Sequence, residues 1–314
     1  MFAGCFLFIF LAAGFALSNS LFFLFALFSL LSLATALFFV GFQLFMGEGA
    51  NLPVYKSTAF YTLAWSLGIA FGFLVQGVLE DMGPLVSLLP AAAGSLLVLG
   101  GLWIVERSSL AVDASGKDEG VVPGFKNRVS PQLEKSFLLV GWVNILTASA
   151  LGMGIRFLIP KIAIARFGFS PAASGLLLFF SLALQGLFGF LLMKFSGWLY
   201  KLKPHFCLEI ISLLGCLVAA AMPDIRGLIL MALSIGIYNG HAFYNGVFYS
   251  LSHREKSGRN ICINEALGGV SALAGPLIAG AALQAGIRNF FFIPPILIGT
   301  SLAIQLLITK FKSR

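Results

Sequence analysis

What this sequence has least of is charge. Of its 314 residues only 10% are Asp, Glu, Lys or Arg, and no charged residue occurs between Met1 and Gly47. Soluble domains carry about 25% charged residues, so a water-facing globular fold is excluded at the outset. Cysteine is scarce as well. Cys5, Cys207, Cys216 and Cys262 stand in or at the ends of apolar runs without paired spacing. They read as small core residues and say nothing of redox compartment. His205 and Cys207 form an H-x-C pair, too few ligands for a metal site, and no metal or other cofactor is expected. No G-x-x-x-x-G-K phosphate loop occurs, so ATP drive is not expected from this chain. There is also no nucleophile–base arrangement and no pair of carboxylates on one helix face, and an enzyme is not expected. The net charge of +8 is spread over short loops between apolar runs. That distribution is a topology signal, not the footprint of a nucleic-acid partner.

What is present is apolar length. Hydrophobic residues make up 59% of the chain and mean hydropathy is +0.98. A membrane-spanning helix needs about 20 apolar residues because the hydrocarbon core is about 30 Å thick. Ten runs qualify, at about 2–18, 21–46, 57–80, 85–105, 136–160, 171–193, 205–222, 227–251, 261–284 and 290–309. The expected fold is all-α, a polytopic bundle in the lipid bilayer. The first run lacks the basic start of a cleaved signal peptide. The polar stretch Glu106–Lys135, with DASGKDEG, is the one linker. It divides the chain into a four-span half (1–105), a cytoplasmic linker (106–135) and a six-span half (136–314). With both termini in the cytoplasm, fifteen Lys and Arg residues fall inside and four outside, Arg156 remaining within a span. This bias sets the expected orientation. The spans starting near 2, 21, 57 and 85 recur near 205, 227, 261 and 290, an internal repeat offset by about 205 residues.

Several stretches resemble the major facilitator superfamily, over essentially the whole chain. Gly168-Phe-Ser170-Pro171-Ala-Ala-Ser-Gly175 resembles that superfamily's connection between its seventh and eighth helices. Gly197-Trp-Leu199-Tyr200-Lys201 is similar to its degenerate C-terminal G-x-L-a-D-R loop, with Tyr200 where Asp is common. Gly68, Gly72 and Gly77 with Gln76 resemble the antiporter pattern G-x-x-x-G-P-x-x-G-G, with Phe73 in place of Pro. Ser271, Gly275, Pro276 and Gly280 stand at the equivalent place in the second half. The resemblance implies a six-plus-six transporter whose first two helices are missing here, an inner-membrane location, and an expectation of export.

Candidate site residues follow from polar groups in apolar runs. Ser234, Tyr238, His241 and Asn245 share one helical face. The resemblance makes that face substrate-lining, and the alternative is a set of interhelical hydrogen bonds. Arg156 either meets an anionic substrate through its guanidinium or snorkels outward past Pro160. Asn144, on another face of the same run, is a separate cavity candidate. Gly268, Ala272, Gly275 and Ala279 form a packing stripe headed by Glu265. Glu265 is expected either to latch a gate with Arg254 or Arg259 or to carry protons. Gln43, Gln76 and Gln185 fit cavity lining or helix packing, and Glu209 reads as a surface pair of Lys201 and Lys203. Two functions remain open: a secondary transporter of a small organic solute by alternating access, with protons as coupling ion, or a truncated, non-transporting membrane scaffold.

Overall fold

The computed structural model describes residues 1–18, 20–48, 52–112, 129–252 and 256–310, and every element in them is helical. The helices are α1 (Phe2–Leu17), α2 (Leu21–Glu48), α3 (Val54–Leu79), α4 (Pro84–Val112), α5 (Pro131–Ser149), α6 (Arg156–Phe167), α7 (Pro171–Leu191), α8 (Leu202–Ala221), α9 (Ile225–Ser252), α10 (Ser257–Gln284) and α11 (Ile287–Lys310). A π-helical segment, Ala150–Ile155, joins α5 to α6. Among the described residues eight helices are long and apolar enough to cross a membrane, the rod Pro131–Phe167 counting as one. Phe2–Phe15 and Leu88–Ile104 are shorter apolar helices. The chain is therefore an integral membrane protein of the all-α class. The expected linker is narrower than its composition suggests: α4 continues to Val112 and α5 starts at Pro131, and most of the stretch between lies outside the described residues.

Helix boundaries follow from capping chemistry. α6 ends on Gly168 in the left-handed conformation (φ 69°), its N–H bonded to Ile164 O at 3.2 Å. Glycine takes that conformation without a Cβ clash. Two residues on, Ser170 caps α7 by accepting from Ala173 N–H at 3.1 Å, with Pro171 at the first helical position, where a missing N–H costs nothing. Ser130 and Pro131 start α5 the same way. Asp224 opens α9, its carboxylate accepting the N–H groups of Arg226 and Gly227, which the helix dipole also favours.

The helices fall into two compact units: Met1–Asn51 with Leu79–Asn127, and Leu52–Val78 with Arg128–Arg314. This division differs from the one at the linker, because α3 goes with the later helices. In the first unit α1 packs on α2 and α4, against α2 through Leu11, Leu27 and Ala34. In the second, α9 is central and touches α5, α7, α8 and α10. Helices in lipid associate by close packing, and small residues allow it. A Cβ on Gly236 or Gly240 of α9 would collide with the backbone of α7 at Ser181 or Gln185, and one on Gly77 would come within 2.7 Å of Pro171 O. Gly154 meets Gly275 backbone to backbone, a Cβ there standing 2.5 Å from the Gly275 carbonyl carbon. Gly68, Gly72 and Gly280, named with them from the sequence, have no such neighbour within 4 Å. Pro276 follows Gly275 inside α10.

Candidate functional site

The second unit buries far more polarity than an apolar bundle requires. Its polar side chains form three groups around α9, each tied across helices.

The first is centred on Arg156, the first residue after the π segment. Its own N–H reaches five residues back to Leu151 O, the hydrogen bond that defines a π turn, a feature often found at functional sites. The side chain is 5% exposed, and Nη2 donates to Gln185 Oε1 of α7 at 2.7 Å. Gln185 Nε2 in turn donates to Ser66 Oγ of α3 at 2.9 Å, so both ends of this amide are used and its orientation is fixed. Ser66 lies at the midpoint of α3, and Asn239, the other polar neighbour, at the midpoint of α9. The snorkelling alternative is thereby overturned: the guanidinium turns inward to Gln185 and is buried. No carboxylate pairs with it among the described residues, and its Nε has no partner. Asn239 is 0% exposed with both amide atoms unpartnered. A Cβ on Gly152 would lie 3.2 Å from Asn239 Nδ2 and 3.7 Å from Arg156 Nη2. The Arg156 and Asn239 side chains thus both come up against Gly152, where even a methyl group would press on the Asn239 amide.

The second group joins Glu209 of α8, Asn144 of α5, Tyr238 of α9, and Ser301 and Gln305 of α11. Gln305 Nε2 lies 2.8 Å from Asn144 Oδ1, 3.0 Å from Glu209 Oε2 and 3.0 Å from Ser301 Oγ. Tyr238 OH donates to Asn144 Oδ1 at 3.3 Å and lies 3.1 Å from Ser301 Oγ. Glu209 is 0% exposed, which corrects its reading as a surface pair of Lys201 and Lys203: both lysines are exposed at the helix start, while the carboxyl, two turns on, faces inward. Glu209 Oε1, Asn144 Nδ2 and Gln305 Oε1 have no partner.

The third group holds two histidines. His205 Nδ1 and His241 Nε2 are 2.9 Å apart, and Asn245 Nδ2 lies 3.0 Å from the one and 2.7 Å from the other. Tyr249 OH sits 3.0 Å from His205 Nε2. An imidazole nitrogen carries either a hydrogen or a lone pair and the Asn245 amide nitrogen only donates, so these three close nitrogens form at most two hydrogen bonds. Three arrangements compete. In one, Asn245 donates to both rings. In the others, one ring donates to the other and Asn245 donates to the ring that accepts. They differ in which ring nitrogens carry the protons. Trp198, Phe137 and Tyr249 wall the cluster, with Trp198 and His205 ring centres 4.7 Å apart. Outside the helices, Tyr200 donates its N–H to Tyr249 OH at 3.4 Å and holds a left-handed backbone (φ 58°). Burial pushes its phenol up to about 12, against a hydrogen bond with Ser252 that lowers it.

Of the residues singled out from the sequence, the structure brings Tyr238 and Asn144 into one cluster and His241 and Asn245 into another, and sets Arg156 apart. Glu265 is half-buried and accepts from Asn264 Nδ2 at 3.3 Å, and Arg259 is exposed near the start of α10. Arg254 lies outside the described residues. Gln76 is exposed and Gln185 is buried. Asn239, His205, Gln305, Ser301 and Ser66 were not selected. Asn239 was missed because it falls beside the Ser234–Tyr238–His241–Asn245 stripe. A single-stripe search finds one interior face, whereas α9 is buried on nearly all sides. Compared with known proteins, the chain matches no protein-family model and no curated protein.

Proposed function

We propose that the protein is a secondary transporter of a small organic solute, built on the major facilitator plan with both termini in the cytoplasm of an inner membrane, and moving its cargo by alternating access with protons as coupling ion. One observation carries the reading: a column of buried ionisable and amide side chains along α9, from Tyr238 to Tyr249, about 16 Å of helix length. Ionisable residues within the membrane are costly and mark pathways for solutes and protons. Packing alone would be served by Leu and Phe at the same positions. The histidine pair supports the proton part of the reading, since relocating one proton exchanges one set of α8–α9 hydrogen bonds for another. The sense of export rests on the resemblance at Gly68–Gly77 alone. No enzymatic step belongs to this reading.

The test is reconstitution into proteoliposomes with an imposed pH gradient and a panel of labelled organic acids, amines and sugars. The expected result is saturable accumulation of one class, abolished by His241→Ala in protein that still inserts and elutes as a single species. Flux no greater than in protein-free vesicles across the panel would overturn transport. Undiminished flux in His241→Ala would remove the histidine pair from the mechanism.

A further inference from the structure

We infer that Arg156, Asn239 and Gln185 form a binding site for a single carboxylate, so that the cargo is a small organic monoanion; this rests on the transport reading above. Four observations converge. Arg156 is the one basic residue well inside an apolar run, and it is buried with a neutral glutamine as its hydrogen-bond partner. A buried charge without a counter-charge is strongly unfavourable, so the site favours whatever brings one negative charge to it. Its remaining donors suit a carboxylate, because a guanidinium presents parallel N–H groups that bind two oxygens at once, and Nε is unpartnered. Asn239 brings an unpartnered amide from α9 to the same glycine, Gly152, that the Arg156 guanidinium approaches. The charge balance selects among anions: one guanidinium neutralises a monoanion, whereas a phosphate carrying about two charges would leave one uncompensated.

The site draws on four helical elements of the second unit. Arg156 follows the π segment, Asn239 is on α9, Gln185 on α7 and Ser66 on α3.

The experiment uses the full-length protein purified in detergent, with intrinsic tryptophan fluorescence following thermal unfolding. Formate, lactate, benzoate and octanoate are titrated alongside lactamide, a neutral relative of lactate, and inorganic phosphate. The expected result is a rise in Tm with at least one monocarboxylate and none with lactamide. Its affinity should fall at least about tenfold, about 1.4 kcal/mol, in Arg156→Lys, which keeps the charge and loses the fork, and again in Asn239→Leu. Arg156→Gln should abolish it, and should that variant fail to fold, the lysine and Asn239 variants decide the matter. Equal stabilisation by lactamide, unchanged affinity in Arg156→Lys and Asn239→Leu, a response to phosphate alone, or no response to any carboxylate would each overturn the site. Binding and transport are separable outcomes. Carboxylate binding without counterflow in proteoliposomes keeps the site and defeats the transporter; flux of a neutral or cationic solute undiminished in Arg156→Gln does the reverse.

Discussion

The two compact units differ in how far their polar side chains reach. In the first, the hydroxyls of Ser29, Ser32, Thr35 and Ser95 bond back to carbonyls four residues earlier on their own helices. Those helices meet through aliphatic and aromatic contacts such as Phe15 with Phe28. In the second, hydroxyls such as those of Thr62, Ser212 and Ser271 bond back in the same way, but other polar groups reach from helix to helix: Gln185 to Ser66, Gln305 to Asn144 and Glu209, Tyr238 to Asn144. A hydroxyl satisfied on its own helix costs nothing to place in lipid and specifies no partner. A side chain satisfied on a neighbouring helix fixes how the two sit together. The comparison teaches that specificity of assembly and intramembrane charge are both concentrated around α9, and that the first unit supplies apolar length.

Substitutions break or sharpen that contrast, all read as thermal unfolding of the purified protein in detergent. The largest effect is expected from Gly154→Val, because the new side chain meets the Gly275 backbone, which cannot yield. A loss of about 3 kcal/mol or more is expected, and an unchanged Tm would show that the close approach of the π segment to α10 is not required. Next comes Gln305→Leu. It removes the amide that serves Asn144, Glu209 and Ser301 together, and stranding those acceptors should cost about 2–3 kcal/mol. Tyr249→Phe keeps the ring against Phe137 and deletes only the hydroxyl beside His205, for an expected loss of about 1 kcal/mol. In the first unit, Gly100→Ala should move stability by no more than about 1 kcal/mol, toward the stable side, since nothing lies within 4 Å of the added carbon and alanine favours the helix. A loss there as large as that of Gln305→Leu would erase the distinction between the units.

The helices themselves were legible because apolar length in lipid leaves few alternatives: among the described residues each of the ten apolar runs is helical, although only eight helices are long and apolar enough to cross a membrane. Caps at Ser130, Ser170 and Gly168 follow local rules and act within four residues of themselves. Partnerships were not legible in the same way. Arg156 and Gln185 are 29 residues apart and Gln185 and Ser66 are 119 apart, and no periodicity links them. The inward turn of Arg156 depends on the π segment, whose winding no residue type in ALGMGI announces. Glu209 is buried although Lys201 and Lys203 are near it along the chain, because proximity along the chain is not proximity in space. On a helix, the lysines at the exposed start and the carboxyl two turns later face different surroundings.

The six residues Ala150–Ile155 carry one further implication. A π turn holds one residue more than the α turn it replaces. Absorbing that surplus into regular winding rotates all that follows by about 100° and advances it by about 1.5 Å. Arg156 is the first residue past the seam, so such a step would swing its guanidinium off Gln185 toward a different neighbour while α5 kept its seat on α9. The rod from Pro131 to Phe167 thus stores one surplus residue directly before its buried charge.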